Sequence, residues 1–353
     1  MDLTERIKEK ARDIGFSKVG ITDASPLSEN IVHHFHEWIE KRYYGDLEYL
    51  KRSRDKRVAP EEVLKGARSV ISAAINYNPG NVVLPEDDRS ARISRYALGM
   101  DYHDVVSKKL RKLLDFIEKE VGNTVRGDIF CDTGPLMEKV IAERAGVGWI
   151  GKNGVLVTQE FGSWVFLGEI LVDIPLSYDT PARNLCSSCT LCMESCPTSA
   201  IVSPGTVDVS RCISYQTVEN RNTIPEELRS AIGNRIFGCD CCQEVCPYNS
   251  GVDTTTEQQF FPKSELVSAP LEMLFAVTEK RFKDAFGDSA IERAKSDGFL
   301  RNIIVAMGNS GQPGFIPLLE NAMESGNILL REHAEWAIER IVETERNQRR
   351  EMG

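Results

Sequence analysis

The sequence predicts a multidomain α+β protein: a mixed α/β region, then a cysteine-rich segment stabilised by metal, then an all-helical region. Three observations predict it. Strand-like apolar runs alternate with helix-periodic stretches up to about residue 180. Nine of the ten cysteines crowd into residues 181–250, a segment too polar and too short to fold on a core of its own. From about residue 255 the hydrophobic period becomes helical again. The resulting boundaries are 1–180, 181–255 and 256–353.

Composition bounds the rest. The 353 residues are 41% apolar and 27% charged, which is ordinary for a globular chain of two or three domains. A net charge of −10 argues against non-specific coating of nucleic acid but leaves room for a local basic patch. No uninterrupted apolar run approaches the length of a membrane span, so no membrane association is expected. The opening MDLTERIKEKARDIGF reads as a charged amphipathic helix with Leu3, Ile7, Ala11 and Ile14 on one face. It has neither the apolar core of a secretory signal nor a twin-arginine pair, so the chain is expected in the cytoplasm. Cysteines there serve as metal ligands or reactive thiols more often than as disulfides.

In chain order, SKVGITDA (17–24), SVISAAINY (69–77) and SWVFLGEILVDI (163–174) read as strands. HDVVSKKLRKLLDFIEKEV (103–121) is a helix with Val106, Leu110, Leu113, Leu114 and Ile117 on one face. Pro135 sits near the start of the next helix, LMEKVIAERAG. Residues 297–343 read as three short helices split at Gly311–Pro313 and at Gly326. They resemble one unit of a HEAT-type helical repeat with a degraded neighbour. A single unit cannot bury both faces, so it should pack on the preceding domain. The ending ETERNQRREMG reads as a solvated, fraying tail.

The cysteines carry the strongest chemical signal. Cys186, Cys189, Cys192 and Cys196, followed by Pro197, have the bacterial ferredoxin spacing, in which three thiolates hold one cubane and the fourth reaches a second. Pairs two residues apart also bind zinc, but four in this order before proline favour iron–sulfur. The second run, GCDCCQEVCPYN (238–249), aligns from its end: Cys242 and Cys246 match Cys192 and Cys196, and Cys239 matches Cys189. Nothing fills the slot of Cys186, and Cys212 and Cys131 are the thiols left over. Cys212 lies between the runs and is the better candidate. Cluster one is therefore assigned to Cys186, Cys189, Cys192 and Cys246, and cluster two to Cys196, Cys212, Cys239 and Cys242. Cys241 and Cys131 are non-ligands. Two clusters make an electron wire, which needs an external low-potential donor and an acceptor.

Several segments together resemble one family: epoxyqueuosine reductase, the cobalamin- and iron–sulfur-dependent enzyme of tRNA queuosine synthesis. They are SRDKRVAPEEVLKGARSVI (53–71), SRYALGMDYH (94–103), DTGPLMEKVIAERAGVGWIGKNGVL (132–156), FGSWVFLGEI (161–170), CISYQT (212–217), GFLRNIIVAMGN (298–309) and the two cysteine runs. The match runs from about residue 3 to 343. It implies a nitroreductase-like α/β cobalamin-binding domain, a ferredoxin-like module with two [4Fe-4S] clusters and a C-terminal HEAT-like repeat. Cobalamin itself does not follow from spacing. The D-x-H-x-x-G signature of His-ligated cobalamin proteins is absent around His33, His34, His36, His103 and His333. The family binds its cofactor base-off, without a histidine ligand, so that absence is expected.

The resemblance also implies residue roles. Asp132 matches the proton donor, a role that needs burial to raise its pKa; the competing reading is a helix N-cap. Arg57 matches a cobalamin contact, while the neighbouring Lys51 and Arg52 suit either a solvated surface or tRNA backbone. Gly151, Lys152, Asn153 and Ser163, with the backbone of SYQT (Ser214, Gln216 and Thr217 among it) after Cys212, are implied cobalamin neighbours. Gln216 stands where an apolar residue is common, and Ala97, also on the cofactor side, stands where some members carry a cysteine. Lys280, Arg281, Lys283, Arg293, Lys295 and Arg301 form a candidate tRNA surface, although ordinary amphipathic helices also carry such charges. The reading is a reductase that converts epoxyqueuosine to queuosine in a tRNA anticodon loop, acting as a monomer. A cobalamin-dependent reductive dehalogenase and a ferredoxin-like electron carrier are the alternatives.

Overall fold

A computed structural model describes residues 2–80, 87–122 and 125–351. Helix α1 (Leu3–Ile14) opens on Asp2, whose carboxylate accepts from the Glu5 N–H, and closes on Gly15 in the left-handed region. Strand β1 (Lys18–Asp23), helix α2 (Glu29–Glu40), strand β2 (Ser69–Asn76) and helix α3 (Tyr102–Val121) follow. Then come strand β3 (Gly127–Phe130), helix α4 (Glu138–Arg144) and strand β4 (Val165–Val172). The strands form one antiparallel sheet in the order β1-β2-β4-β3. The three strands and the long helix expected from periodicity all form, within about two residues of their expected ends. Strand β3 escaped notice.

Every residue of β2 is buried, because both faces of the sheet are covered. Ile71, Ala73 and Ile75 meet Ile7 and Ala11 of α1 and Leu110, Leu113 and Leu114 of α3. The alternate residues Val70 and Ala74 face Ile141 and Ala142 of α4. Helix α4 approaches so closely that a Cβ at Gly20 would lie 1.9 Å from the Ala145 carbonyl oxygen. Glycine is required there by space. Strand β4 carries Glu169 on this same α4 side, directly opposite Ser72 of β2 and Phe130 of β3.

The cysteine-rich segment contributes helix α5 (Ile213–Val218) and two single helical turns, Leu191–Glu194 and Cys241–Glu244. The helical region comprises α6 (Leu271–Phe286), kinked at Arg281, α7 (Lys295–Ser310), α8 (Ile316–Glu324) and α9 (Ile328–Glu351). The splits fall at Gly311–Pro313 and Gly326, as expected. Helix α9 is not short, however, and the expected fraying tail continues it to Glu351; Met352 and Gly353 lie outside the described residues. Helix α7 is buried without a break from Gly298 to Gly308, so it packs on its neighbours all round.

The expected boundaries mark changes of composition rather than separate cores. Ala91, Ile93, Ala97 and Leu98 belong to the core built by α6 to α9. Residues Arg92–Ile93 pair in parallel with Arg235–Phe237. In the other direction, Phe260 enters the core of the sheet, and the Asn76 and Asn78 side-chain amides hold the carbonyls of Asp253 and Val252.

Candidate active site and cluster-binding segment

A cavity of about 790 Å³ opens beside the sheet, walled by α2, α4 and the loops around residues 150–167 and 205–209. Its lining is mostly apolar, with Phe35, Trp38, Leu50, Leu136 and Val207 among the contributors. An aromatic stack forms one wall: Phe166 lies between Tyr77 and Tyr102, at centroid distances of 4.3 and 4.4 Å. The polar groups are few and grouped, with Arg57, Asp132, Glu138, Lys139 and Ser163 facing the same space.

Asp132 sits in the loop from β3 to α4 with φ +58, a left-handed conformation uncommon outside glycine. Two hydrogen bonds hold it. Its N–H donates to Glu138 Oε1 at 2.6 Å, and its Oδ2 accepts from the Tyr102 hydroxyl at 2.8 Å. His103 Nε2 is 3.9 Å from the same oxygen, while its Nδ1 is held at 2.7 Å by Asp101. The loop is cramped: a Cβ at Gly134 would meet the Phe130 ring at 2.2 Å. The N-cap reading fails, because Met137 caps α4. The burial expected around the carboxyl is absent too, since the side chain is 69% exposed at the cavity mouth. The better shielded acid is Glu138, half-buried in the cavity wall, which desolvation, and then the charge of Asp132, push up to about 8.

Arg57 faces the cavity and ties the loop down. Its Nε donates to Ser53 Oγ at 2.9 Å, its NH1 to the Leu136 carbonyl at 3.2 Å, and its guanidinium lies over the Tyr49 ring. Lys51 and Arg52 are exposed. Ser163 lines the cavity and donates to Gln243 Oε1 at 2.9 Å. Gly151, Lys152 and Asn153 form the tip of a hairpin between Trp149–Ile150 and Leu156–Val157. The flanking Ile150, Gly154 and Val155 face the cavity. The tip grips the cysteine segment instead: Lys152 Nζ donates to the Ser187 carbonyl at 2.8 Å and Asn153 Nδ2 to the Cys242 carbonyl at 3.4 Å.

The thiols gather as two neighbouring groups. Burial, and then the closeness of Cys186, Cys246 and Cys189, raise the pKa of Cys192. Burial, and then Cys212, raise Cys242, with Cys196 and Cys192 also close. Cys239 packs against the apolar cluster of Ile213, Ile224, Leu228, Ile232 and Val305. Its thiol bonds to Cys241, which turns toward Arg235 and is drawn down to about 6 by that bond. Cys131 lies elsewhere, buried beneath the sheet with its Sγ donating to the Leu167 carbonyl at 3.3 Å. N–H groups point at the sulfurs: Trp149 Nε1 at Cys186, Ala200 N at Cys196, and the backbones of Ser214 and Tyr215 at Cys212. Such donors stabilise thiolate. The cysteine-rich segment borders the cavity through Val207, Val209 and Gln243.

Some expectations do not survive. Ala97 has no exposed surface and sits in the helical core, where it cannot touch a ligand. The side chains of Gln216 and Thr217 are buried and serve the Ser210 and Ile213 carbonyls, which leaves the expectation for the backbone of this segment untouched. The part of that segment aimed at chemistry is the backbone of Ser214 and Tyr215, whose N–H groups point at Cys212. Arg301 is not a surface cation. It is wholly buried, and its guanidinium holds the carbonyls of Gln216, Asn220 and Asn222. Arg293 is exposed but bound by both nitrogens to Glu219, and Lys295 pairs with Glu292. Lys280, Arg281 and Lys283 lie exposed along α6. Tyr102, Glu138 and Lys139 were missed as site residues, although the segments SRYALGMDYH and DTGPLMEK contain or adjoin all three.

The same regions are picked out by comparison with known proteins. A family model described as "Epoxyqueuosine reductase QueG, DUF1730" matches residues 57–133, and one described as "4Fe-4S double cluster binding domain" matches residues 185–249. The latter replaces the zinc alternative. The epoxyqueuosine reductase of Vibrio cholerae is 43% identical over 341 residues, covering 96% of this chain and 91% of that protein. The Escherichia coli K12 enzyme is 42% identical over 345 residues, covering 97% and 90%. Among solved structures, an epoxyqueuosine reductase with an epoxyqueuosine-modified tRNA stem loop superposes with a TM-score of 0.88 at 34% identity, covering 96% of this chain and 90% of that one. The Streptococcus thermophilus enzyme does so with 0.88 at 31%, covering 97% and 91%. With a double-cluster segment against an acid-bearing cavity, and relatives of this identity matched nearly end to end, the chain belongs to the epoxyqueuosine reductase family.

Proposed function

We propose that the protein reduces epoxyqueuosine to queuosine in the anticodon loop of a tRNA. The observation that carries the reading is the shared wall. Gln243, which lies between Cys242 and Cys246, lines the same cavity as Asp132, so the cysteine-rich segment and an acid meet at one space. The solved relative that holds a modified tRNA stem loop supports this substrate.

The donor set suits two [4Fe-4S] clusters, with Cys186, Cys189, Cys192 and Cys246 holding one and Cys196, Cys212, Cys239 and Cys242 the other. On this assignment Cys239 exchanges its bond to Cys241 for iron. The cavity suits a flat, largely apolar macrocycle: an aromatic stack and aliphatic walls, with Arg57 and Ser163 as polar anchors. Base-off cobalamin is the group the family implies there. When bound, the clusters supply single electrons from an external low-potential donor and the cobalamin supplies a strong reductant at the substrate.

The chain's own residues do the rest. Asp132 protonates the epoxide oxygen. The Tyr102 hydroxyl and the Glu138 carboxylate hold Asp132 in its left-handed turn, and Arg57 anchors the end of the same loop. An anticodon base would be splayed out toward the cavity, with Lys280, Arg281 and Lys283 on the phosphate backbone. The finer fold reading, a nitroreductase-like domain followed by a HEAT-like repeat, accords with the covered antiparallel sheet and the paired C-terminal helices. A cytoplasmic monomer is part of the same proposal; no described helix is long and apolar enough to cross a membrane.

The test is anaerobic purification with cobalamin, followed by an assay on epoxyqueuosine-tRNA. Conversion to queuosine-tRNA is the expected result. Protein that carries both clusters but retains no cobalamin and turns nothing over would instead be an electron carrier.

A further inference from the structure

Reduction of an epoxide to an alkene breaks two C–O bonds, forms one C=C bond and releases the oxygen as water. It consumes two electrons and two protons. One carboxyl delivers one proton at a time, so a second must reach the same oxygen.

Two carboxyl groups lie behind Asp132. Glu138 lines the cavity and accepts the Asp132 N–H at 2.6 Å. Glu169, on β4, is 0% exposed and paired in register with Phe130, two residues before Asp132. Ser72 Oγ donates to its Oε1 at 3.1 Å, and its Oε2 has no hydrogen-bond partner among the described residues. A charged carboxylate with a bare, buried oxygen is strongly disfavoured, whereas a neutral acid is tolerated. Two carboxyls that interact titrate as a pair. Burial and then Asp132 push Glu138 up to about 8, while burial and then Glu138 push Glu169 well above the carboxylate range. The other charged groups facing Glu138 are His103, Lys139 and Arg57, all of which favour its ionised form.

We propose that Glu138 and Glu169 are a proton store behind Asp132, which reprotonates its carboxylate across the cavity so that one acid delivers both protons. The pair acts through Asp132 and does not touch the reacting atoms. The proposal rests on the epoxide reading, but its first test does not.

Glu169→Gln and Glu138→Gln keep an acceptor for Ser72 and for the Asp132 N–H, so either can retain the loop. Infrared difference spectra of the full-length, cluster-loaded protein should show a protonated-carboxyl band that fades as pH rises through about 8. Each substitution should abolish or shift that band. Turnover of epoxyqueuosine-tRNA should fall roughly tenfold to a hundredfold in both variants, and the alkaline limb of the pH–rate profile should move to lower pH. A band unchanged in both variants, or variants that match the parent in rate and pH profile, would overturn the store. A titrating band in a parent protein that fails to reduce epoxyqueuosine would support the pair and overturn the substrate reading.

Discussion

Asp132 illustrates how a residue's role depends on its fixings as much as on its type. Its carboxyl stands at the cavity mouth, held by the Tyr102 hydroxyl on one side and through its own N–H by Glu138 on the other. Asp132→Asn keeps the shape and removes the proton, so turnover should fall roughly a hundredfold to ten-thousandfold while iron content and cobalamin binding stay at parental levels. Normal turnover would remove Asp132 from the chemistry. The cysteines allow an equally sharp comparison. Cys241→Ser should leave about eight irons per chain, and Cys212→Ser should lose or convert one cluster; iron analysis with electron paramagnetic resonance reads both. The reverse pattern would overturn the register. That register could be proposed from sequence because a thiol's place in a ligand set is a matter of spacing. The burial of Ala97 and Arg301 was not, because it depends on α7 packing against residues remote in sequence. A cation in GFLRNIIVAMGN looks like any other until the carbonyls of Gln216, Asn220 and Asn222 are placed around it.

At the scale of elements, the periodic ones were readable and the short ones were not. Helix α3 declares itself through Val106, Leu110, Leu113, Leu114 and Ile117, all fully buried in the structure. Strand β3 is four residues long, with no alternation to betray it, yet it launches the Asp132 loop. The residues Gly151–Asn153 were expected beside the cofactor, but they form a hairpin tip whose side chains grip the cysteine segment, a long-range fact with no local signal. Helix α6 keeps three cations in solvent after Arg293 and Lys295 are discounted by their acidic partners. Replacing Lys280, Arg281 and Lys283 with glutamine should weaken binding of the tRNA stem loop. It should also reduce the slope of log affinity against log salt by about 0.7 to 0.9 for each phosphate no longer neutralised. An unchanged slope would move the nucleic-acid surface elsewhere.

For the whole molecule, stability should be bounded by buried groups at both ends of the pH range. His333 joins α9 to the loop before Pro225. Its Nε2 accepts the Ile224 N–H at 3.1 Å, and burial pulls its pKa from 6.5 down to about 4. The unfolded chain therefore binds a proton that the folded one refuses. Stability contributed by neutral His333 is complete above pH 6.5 and falls as pH drops toward 4, by roughly 3 kcal/mol. Glu138 and Glu169 act in the opposite sense. Their pKa values are raised on folding, so the folded state is favoured at low pH and loses that advantage as pH climbs above about 4.5, for Glu138 through about 8. Denaturant titrations across this range should give a maximum between the two limits. His333→Leu should flatten the acid side and Glu169→Gln the alkaline side.

The exchange of core residues between the two ends of the chain also bears on how the protein is made. Ala91, Ile93, Ala97 and Leu98 emerge from the ribosome some two hundred residues before Phe299 and Ile303, the side chains that will cover them. The first half therefore cannot complete its packing during synthesis, and its apolar edge must wait in the open until α7 appears. Nascent chains stalled short of α7 should be protease-sensitive across residues 87–98, and stalling beyond α9 should close that window in a single step.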